Sequence, residues 1–257
     1  MPGSERIGVA GFAAALAALI LWSSAPVVAA EAAARSTTAP PWVAESNRHA
    51  EVLLDVIARF HPEDAADIGL EAYDTAVIDL QVGVHQRRQD ALQAALTELR
   101  QRRSRAVDPA VQQDLDILID AAARNIESAR LEHELLLPYI SVSRLVFSGI
   151  QSLLDPRVPK TRQAAALQRL RAYAGLAPGT TPITELARAR SREMFASPGR
   201  VGPYRGQIEQ DLADTPRLID GLDKLFAESG IKDYQVPLKR LRQQLRDYDH
   251  WLRREML

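Results

Sequence analysis

Cysteine is absent from the 257 residues of this chain. Disulfide bonds, thiolate zinc sites, a cysteine nucleophile and a lipidated N-terminal cysteine are therefore excluded. Aromatic residues account for only 5% of the sequence, which disfavours stacking platforms for bases or sugars. The formal net charge is −1, so neither a basic excess nor an acidic tail is present. We therefore expect no nucleic-acid partner.

Apolar residues make up 46% of the chain and charged residues 25%. This composition is typical of a globular domain with a sizeable core. Apolar residues recur at helical spacing throughout, and no stretch alternates as a strand would. The sequence therefore predicts an all-α fold, a multi-helix array of about eight to ten helices with mostly antiparallel neighbours, over residues 44–257.

The N-terminus has the order of a secretory signal peptide. Arg6 precedes an apolar run over residues 7–22, and small residues with Val28 and Ala30 at the −3 and −1 positions follow. We predict cleavage after residue 30. The alternative is an uncleaved segment that tethers the protein, although the run is short for a bilayer span of roughly 20 residues. Both alternatives place the protein outside the cytoplasm, periplasmic or secreted, and no later stretch is apolar enough to span a membrane.

Residues 31–43 are small, polar and proline-containing, which predicts a flexible lead-in. A first helix is predicted from Ala44 to Phe60. It ends because Pro62 has no backbone N–H and restricts the residue before it. Proline also suits the first turn of a new helix, so a short helix is expected from Pro62 to Gly69.

Caps and prolines predict most of the later boundaries. Helices are expected at residues 80–103, from the Asp108 cap to about residue 136, and in an apolar core segment between Pro138 and Pro156. Thr161, Thr181 and Thr215 are each expected to begin a further helix. The last helix begins near residue 237, and its regular apolar stripe consists of Leu238, Leu241, Leu245 and Leu252.

His133 begins the only fragment that resembles a metal motif. The zinc motif H-E-x-x-H places two imidazoles one helical turn apart on one ion. Here Glu134 follows His133, but Leu137 occupies the second histidine position. We therefore predict no metal site at this position and interpret Glu132 and Glu134 as surface charges.

The other candidate groups also favour structural roles. His61 with Asp64 and Asp67 is interpreted as a capping arrangement at a helix N-terminus. His250 with Asp247 and Asp249 is interpreted as an exposed cluster.

Nothing around Ser141 or Ser143 resembles a nucleophile elbow. The basic run over residues 188–192 is interpreted as a solvated helix face, and the glycines in residues 197–206 lack phosphate-loop spacing. Catalytic, cofactor-binding and metal residues are all predicted to be none.

Two stretches resemble the bacterial domain-of-unknown-function 885 family. The first is "FHPEDAADIGLEAYD", followed by "VIDL". Members begin with a helix, an aromatic-x-Pro-Glu-x-Ala stretch, then Gly and Tyr-Asp, here Phe60, Pro62, Glu63, Ala65, Gly69, Tyr73 and Asp74. The second is "LLLPYISVSRLVFSGIQSLLDP", residues 135–156, followed by an arginine-rich helix with "LQRLRAY". The likeness covers about residues 44–257.

The resemblance implies a helical, secreted or membrane-associated protein similar to zinc metallopeptidases. In such proteins an H-E-x-x-P-G-H helix in the C-terminal half binds zinc and activates water. This sequence contains no such helix, so no catalytic or metal residue is carried over.

We expect the chain to be the N-terminal half of a truncated or split member, inactive alone, whose partner is the missing catalytic half. Without that half, the stripe of the last helix should stay exposed and support self-association. The alternative is a stand-alone extracytoplasmic helical binding or scaffold protein.

Overall fold

The computed structural model describes residues 40–195, 197 and 199–257. The predicted signal peptide, residues 1–30, and residues 31–39 of the predicted lead-in lie outside the described residues. The α-helices are α1 (Pro41–Phe60), α2 (Pro62–Asp67), α3 (Val84–Arg105), α4 (Pro109–Leu135), α5 (Val142–Leu154), α6 (Lys160–Gln163), α7 (Ala165–Tyr173), α8 (Ile183–Phe195), α9 (Arg205–Ser229) and α10 (Gln235–Glu255). A 3₁₀ turn, Glu71–Tyr73, follows α2.

The predicted all-α class and helix number are confirmed. Within the described ranges, extended pairing is limited to an isolated parallel bridge between Leu136 and Val201. None of the helices placed there combines the length and apolarity that a membrane crossing requires.

Helices α1, α3 and α4 share one apolar core. Helices α3 and α4 form an antiparallel hairpin, because Arg103 near the end of α3 pairs with Asp116 near the start of α4. Its core side chains are Leu53, Val56, Phe60, Leu92, Ala95, Leu96, Leu99, Val111, Leu115, Ala122 and Ala129. The long α4, 27 residues, extends this layer over about 40 Å at 1.5 Å per residue.

Helices α5 and α7–α10 pack around a second, larger core. Helix α5 lies at its centre and buries Val146, Ile150 and Leu153 completely, as its nearly uniform apolar sequence predicts. Helices α9 and α10 run antiparallel, since Asp223 pairs with Arg242 at one end while Thr215 contacts Asp249 at the other. Helix α2 joins the two cores because it packs against both α1 and α5.

Of two predicted helix starts, at Asp108 and at Thr215, the structure has only the first. The Asp108 cap is confirmed, because its Oδ1 accepts a 2.8 Å hydrogen bond from the Ala110 N–H. The predicted new helix at Thr215 is wrong, since α9 continues through Pro216. Proline removes one backbone donor from a helix interior, but apolar side chains on both sides of Pro216, Leu212 and Ile219 among them, are buried in one core. That shared burial outweighs the lost hydrogen bond.

The apolar stripe of the last helix is not exposed, and this expectation is also wrong. Leu238, Leu241, Leu245 and Leu252 are each at most 3% exposed. They belong to the second core, together with Tyr248 and Trp251 from the same helix. The stripe is covered by other helices of this chain, so it provides no apolar surface for self-association.

Candidate functional site

A polar cleft lies where α2 meets α5 and the segment before α6. Its volume is about 630 Å³. Helix α2 contributes three carboxylates and α5 contributes hydroxyl and amide groups. The segment after α5 and helix α6 contribute one guanidinium group each. The lining residues are Glu63, Asp64, Asp67, Ser148, Gln151, Ser152, Asp155, Arg157, Val158, Pro159 and Arg162.

Glu63 is the buried carboxyl of this cleft and is only 7% exposed. Its Oε1 accepts a 2.8 Å hydrogen bond from the Tyr173 hydroxyl and a 3.1 Å hydrogen bond from the Ile78 N–H. Burial raises the pKa of Glu63, while these two hydrogen bonds and the Arg169 charge oppose that rise. The same burial raises the pKa of Tyr173 well above its usual range. The tyrosine therefore acts as a hydrogen-bond donor.

Arg169 holds together three segments around Glu63. Its guanidinium is completely buried and donates to the carbonyls of Gly149 at 2.9 Å, Tyr73 at 2.6 Å and Pro62 at 3.4 Å. These carbonyls belong to α5, the 3₁₀ turn and the start of α2. A buried cation needs such compensation, because desolvation of a charge is costly. The arginine therefore fixes α2 and the 3₁₀ turn against α5.

A second ion pair closes the same region. Arg162 donates to both carboxylate oxygens of Asp74, at 2.8 and 2.7 Å, and to the Ala66 carbonyl at 3.1 Å. The Asp74 side chain is 7% exposed and the Arg162 side chain 12% exposed. A bidentate guanidinium–carboxylate pair fixes orientation as well as distance. This pair links the end of the 3₁₀ turn to α6.

Gly149 permits the close approach of α2 and α7 to α5. A Cβ atom at this position would lie 2.4 Å from the Tyr173 hydroxyl oxygen and 2.9 Å from Glu63 Cγ. Both distances are shorter than real side-chain contacts, so the Glu63–Tyr173 hydrogen bond depends on the missing side chain at position 149.

The cleft therefore has a fixed floor and a charged rim. Asp64 and Asp67 are exposed on α2, and Asp155 pairs with Arg157 at 2.8 Å on the opposite side. Of the serines in the cleft, Ser152 points its hydroxyl at the Gly149 carbonyl, 3.4 Å away. The arrangement presents hydrogen-bond acceptors and negative charge on α2, which suit the N–H groups or ammonium of a polar ligand.

Among the described residues, neither His133 nor His61 belongs to a group of side chains that could hold a metal ion. The His133 ring stacks on His85, with 3.6 Å between the ring centroids and an 8° angle between the planes. Leu137 lies beyond the end of α4, where its N–H donates to the Val201 carbonyl at 2.9 Å. His61 lies between α1 and α2 as the cap of both. Burial and the Arg88 charge lower the pKa of His61.

The described residues do not fit the zinc that the resemblance implies. Across residues 40–195, 197 and 199–257, no three or more His, Asp or Glu side chains have a metal-binding arrangement. The nitrogen lone pairs of an imidazole lie in the ring plane. Two parallel rings 3.6 Å apart share no in-plane point from which both could bind one ion.

The other sequence candidates are placed apart from the cleft. Asp249 contacts Thr215, with 3.3 Å between Oδ1 and Oγ1, and Thr215 Oγ1 lies 3.0 Å from Ser143 Oγ. His250 and Asp247 are exposed on α10. Burial raises the pKa of Asp249 to about 6. This part of the predicted exposed cluster is therefore partly buried.

The basic run in α8 is only partly a solvated face, since Arg192 is exposed. Arg190 is buried and pairs with Glu193. The Arg188 and Arg192 guanidinium carbons lie 5.8 and 5.7 Å from the ring centroids of Tyr248 and Trp251. These are cation–π distances, so the run packs α8 on α10.

Arg169 and Tyr173 are the important residues that the sequence reasoning did not single out. Both lie in "LQRLRAY", four residues apart, so they share one helix face. This spacing indicates that the two side chains act together, but it does not identify their partners, because an arginine on an apolar helix face can have many roles. His85 had no sequence signal, because its partner lies 48 residues away on another helix.

The fold and the cleft define an all-α protein whose motif residues stabilise its own interior. The sequence profile described as "Bacterial protein of unknown function (DUF885)" matches residues 62–257, and the chain belongs to this family. The match begins at the α2 proline and includes every residue of the Glu63–Arg169 network. No curated protein matches this chain. No solved structure matches it either.

Proposed function

We propose that this chain is the non-catalytic, helical half of a protein similar to zinc metallopeptidases, and that it forms one wall of a peptide cleft. The observation that carries the proposal is the structural role of two residues of the family motif. Glu63 and Asp74 are buried in hydrogen-bonded networks with Tyr173 and Arg162. Side chains held in such networks fix the positions of α2 and the 3₁₀ turn, and so keep the wall rigid.

The cleft beside this network suits a segment of peptide. Its rim carries the exposed carboxylates Asp64 and Asp67, and Gln151 and Ser148 add polar side chains. A peptide offers N–H donors and, at its N-terminus, an ammonium. A fixed floor reduces the ordering cost of binding, because the protein groups are already in place.

The proposal places the protein outside the cytoplasm, periplasmic or secreted. The support is the Arg6, apolar-run and Val28–Ala30 pattern. Mass spectrometry of protein recovered from the extracytoplasmic fraction tests it, and the mature chain should begin at residue 31. Recovery of the intact N-terminus in the membrane fraction would favour the uncleaved tether instead.

Catalysis is tested on residues 31–257 with metal analysis after dialysis and a peptide-release assay in added zinc. We expect no stoichiometric zinc and no hydrolysis. Tightly bound zinc, or hydrolysis that is lost in His133→Ala, would instead support the hypothesis that this chain is a complete enzyme. Genomic DNA after codon 257 tests the missing half, since an H-E-x-x-P-G-H motif within several hundred codons supports a truncated or split gene.

The second candidate is a stand-alone helical binding or scaffold protein. The buried stripe of α10 favours it, because Leu241 and Leu245 are covered within this chain. Sedimentation and native hydrophobic-dye binding separate the two candidates. A monodisperse monomer without dye binding supports the stand-alone protein, whereas self-association or dye binding through a face other than this stripe supports a half that lacks its partner.

A further inference from the structure

The stacked imidazoles of His85 and His133 close one end of the α3–α4 hairpin. His85 is the second residue of α3, and His133 lies in the last turn of α4. At the other end the hairpin is closed covalently by the connection over residues 106–108. The stack therefore holds together the two chain ends that the connection leaves free.

Charged groups surround the stack on several elements. Arg88 of α3 pairs with Glu132 of α4 at 3.2 Å, next to the two rings. Arg200, from the connection before α9, acts electrostatically on both rings. Glu134, from α4, acts on His133 in the opposite sense.

His61 brings the α1–α2 junction into the same electrostatic environment. Both Arg88 and Glu132 act on its ring, and so does Asp64 of α2. The charged groups that act on the stack or on His61 are thus Arg88, Arg200 and the carboxylates Glu132, Glu134 and Asp64.

A face-to-face stack at 3.6 Å suits neutral rings. Protonation of both rings would place two positive charges at that separation, beside Arg88 and Arg200. Two of the carboxylates are already engaged, since Glu132 pairs with Arg88 and Glu134 with Arg130. Both stacked rings are partly exposed, so solvent protons reach them.

We propose that the His85–His133 stack is an acid-sensitive latch, closed at neutral pH and opened by protonation, which frees the adjoining ends of α3 and α4. The direction of the pKa shifts agrees with this. Burial lowers the pKa of His85 and of His133 below 6.5, and neighbouring positive charges add to the effect. A lowered histidine pKa means that stability is present above 6.5 and is lost as the pH falls through the folded value.

Hydrogen exchange with mass spectrometry on residues 31–257 tests the latch at pH 7.5, 6.0 and 5.0, after correction for intrinsic exchange rates. We expect protection at residues 84–90 and 129–135 to fall at least fivefold between pH 7.5 and 5.0. The double variant His85→Phe/His133→Phe keeps two stacking rings without titratable nitrogens and should lose this pH dependence. His250→Phe, an exposed position on α10, should retain it.

Carbon-13 NMR of the imidazole rings in the unsubstituted protein is a second measurement that needs no variant to fold. Both stacked rings should titrate below 6.5, and the loss of protection should follow the same midpoint. The proposal is overturned if protection at these helix ends is independent of pH, if the double Phe variant keeps the full pH dependence, or if either ring titrates at or above 6.5.

Discussion

The Tyr173 hydroxyl donates a 2.8 Å hydrogen bond to Glu63 across 110 residues of sequence. The two side chains come from α7 and α2, and Gly149 of α5 leaves the space in which they meet. The family motif at the start of the matched region is therefore connected directly to the arginine-rich helix that follows the second matched stretch.

Removing this hydroxyl should destabilise the protein. Tyr173→Phe leaves a buried carboxyl with one donor fewer, and an unsatisfied buried polar group costs about 1–3 kcal/mol. Urea unfolding followed by circular dichroism measures the change in free energy. Tyr204→Phe is the matched control, because Tyr204 is 72% exposed and its loss should leave the midpoint unchanged. Equal midpoints for the two variants would contradict the role of the Tyr173 bond.

The Arg162–Asp74 pair should show strong coupling in a double-mutant cycle. Arg162→Ala or Asp74→Ala leaves a largely buried charge without its partner, which should cost about 2 kcal/mol or more. Because either change already breaks the pair, the double variant should lose much less than the sum of the single variants. Arg162→Lys should recover only part of the loss, since an ammonium cannot form the bidentate contact.

The control for that cycle is the exposed pair Arg205–Glu209 on α9, which has a 2.8 Å contact one helical turn apart. Exposed pairs contribute little to stability, so alanine at either position should have no measurable effect. Additive losses at Arg162 and Asp74 would show that the two side chains act independently.

How far the sequence predicts this fold depends on the range of each interaction. The Asp108 cap and the helix end at Gly230, which has a φ of 76°, are local features and were predictable. Thr215-Pro216 has the local pattern of a helix start, but tertiary burial on both sides keeps α9 continuous. The exposure of the α10 stripe was mispredicted because burial depends on which helices pack there, and spacing alone does not specify this.

The candidate site was less predictable than the fold. Glu63 and Asp74 were found only through the family resemblance, without roles. Their partners Tyr173 and Arg162 lie 110 and 88 residues away. Pairings at this separation follow from the packing of α2, α6 and α7 on α5, which helical periodicity does not encode.

Asp249 should make stability depend on pH below neutrality. Burial, together with the charge of Asp211, raises the pKa of Asp249 from 3.8 to about 6. The folded protein then holds this proton more tightly, so stability is fully present below about pH 4 and falls as the pH rises to about 6. Asp249→Asn should therefore be more stable than the unsubstituted protein at pH 7.5, by about 1 kcal/mol after allowance for solvent screening.

The measurement is urea unfolding of both proteins at pH 4, 5, 6 and 7.5. The difference should be small at pH 4 and reach its plateau above pH 6. Asp247→Asn, an exposed change two residues earlier on α10, is the control and should show no such trend. The prediction would be contradicted if Asp249→Asn lost stability relative to the unsubstituted protein as the pH rose from 4 to 7.5.

The buried stripe of α10 should carry much of the stability of the second core. Leu241 is completely buried, and truncation of a buried leucine to alanine removes apolar contacts and leaves a cavity. Leu241→Ala should therefore cost about 2–5 kcal/mol. Val236→Ala on the same helix is the matched control, because Val236 is 76% exposed, and it should stay within about 0.5 kcal/mol. If α10 were detached in solution, the two variants would unfold at the same urea concentration, and the unsubstituted protein would bind a hydrophobic dye. We expect a large separation of midpoints, because Leu241 packs in the same core as Val146 and Ile150 of the central α5.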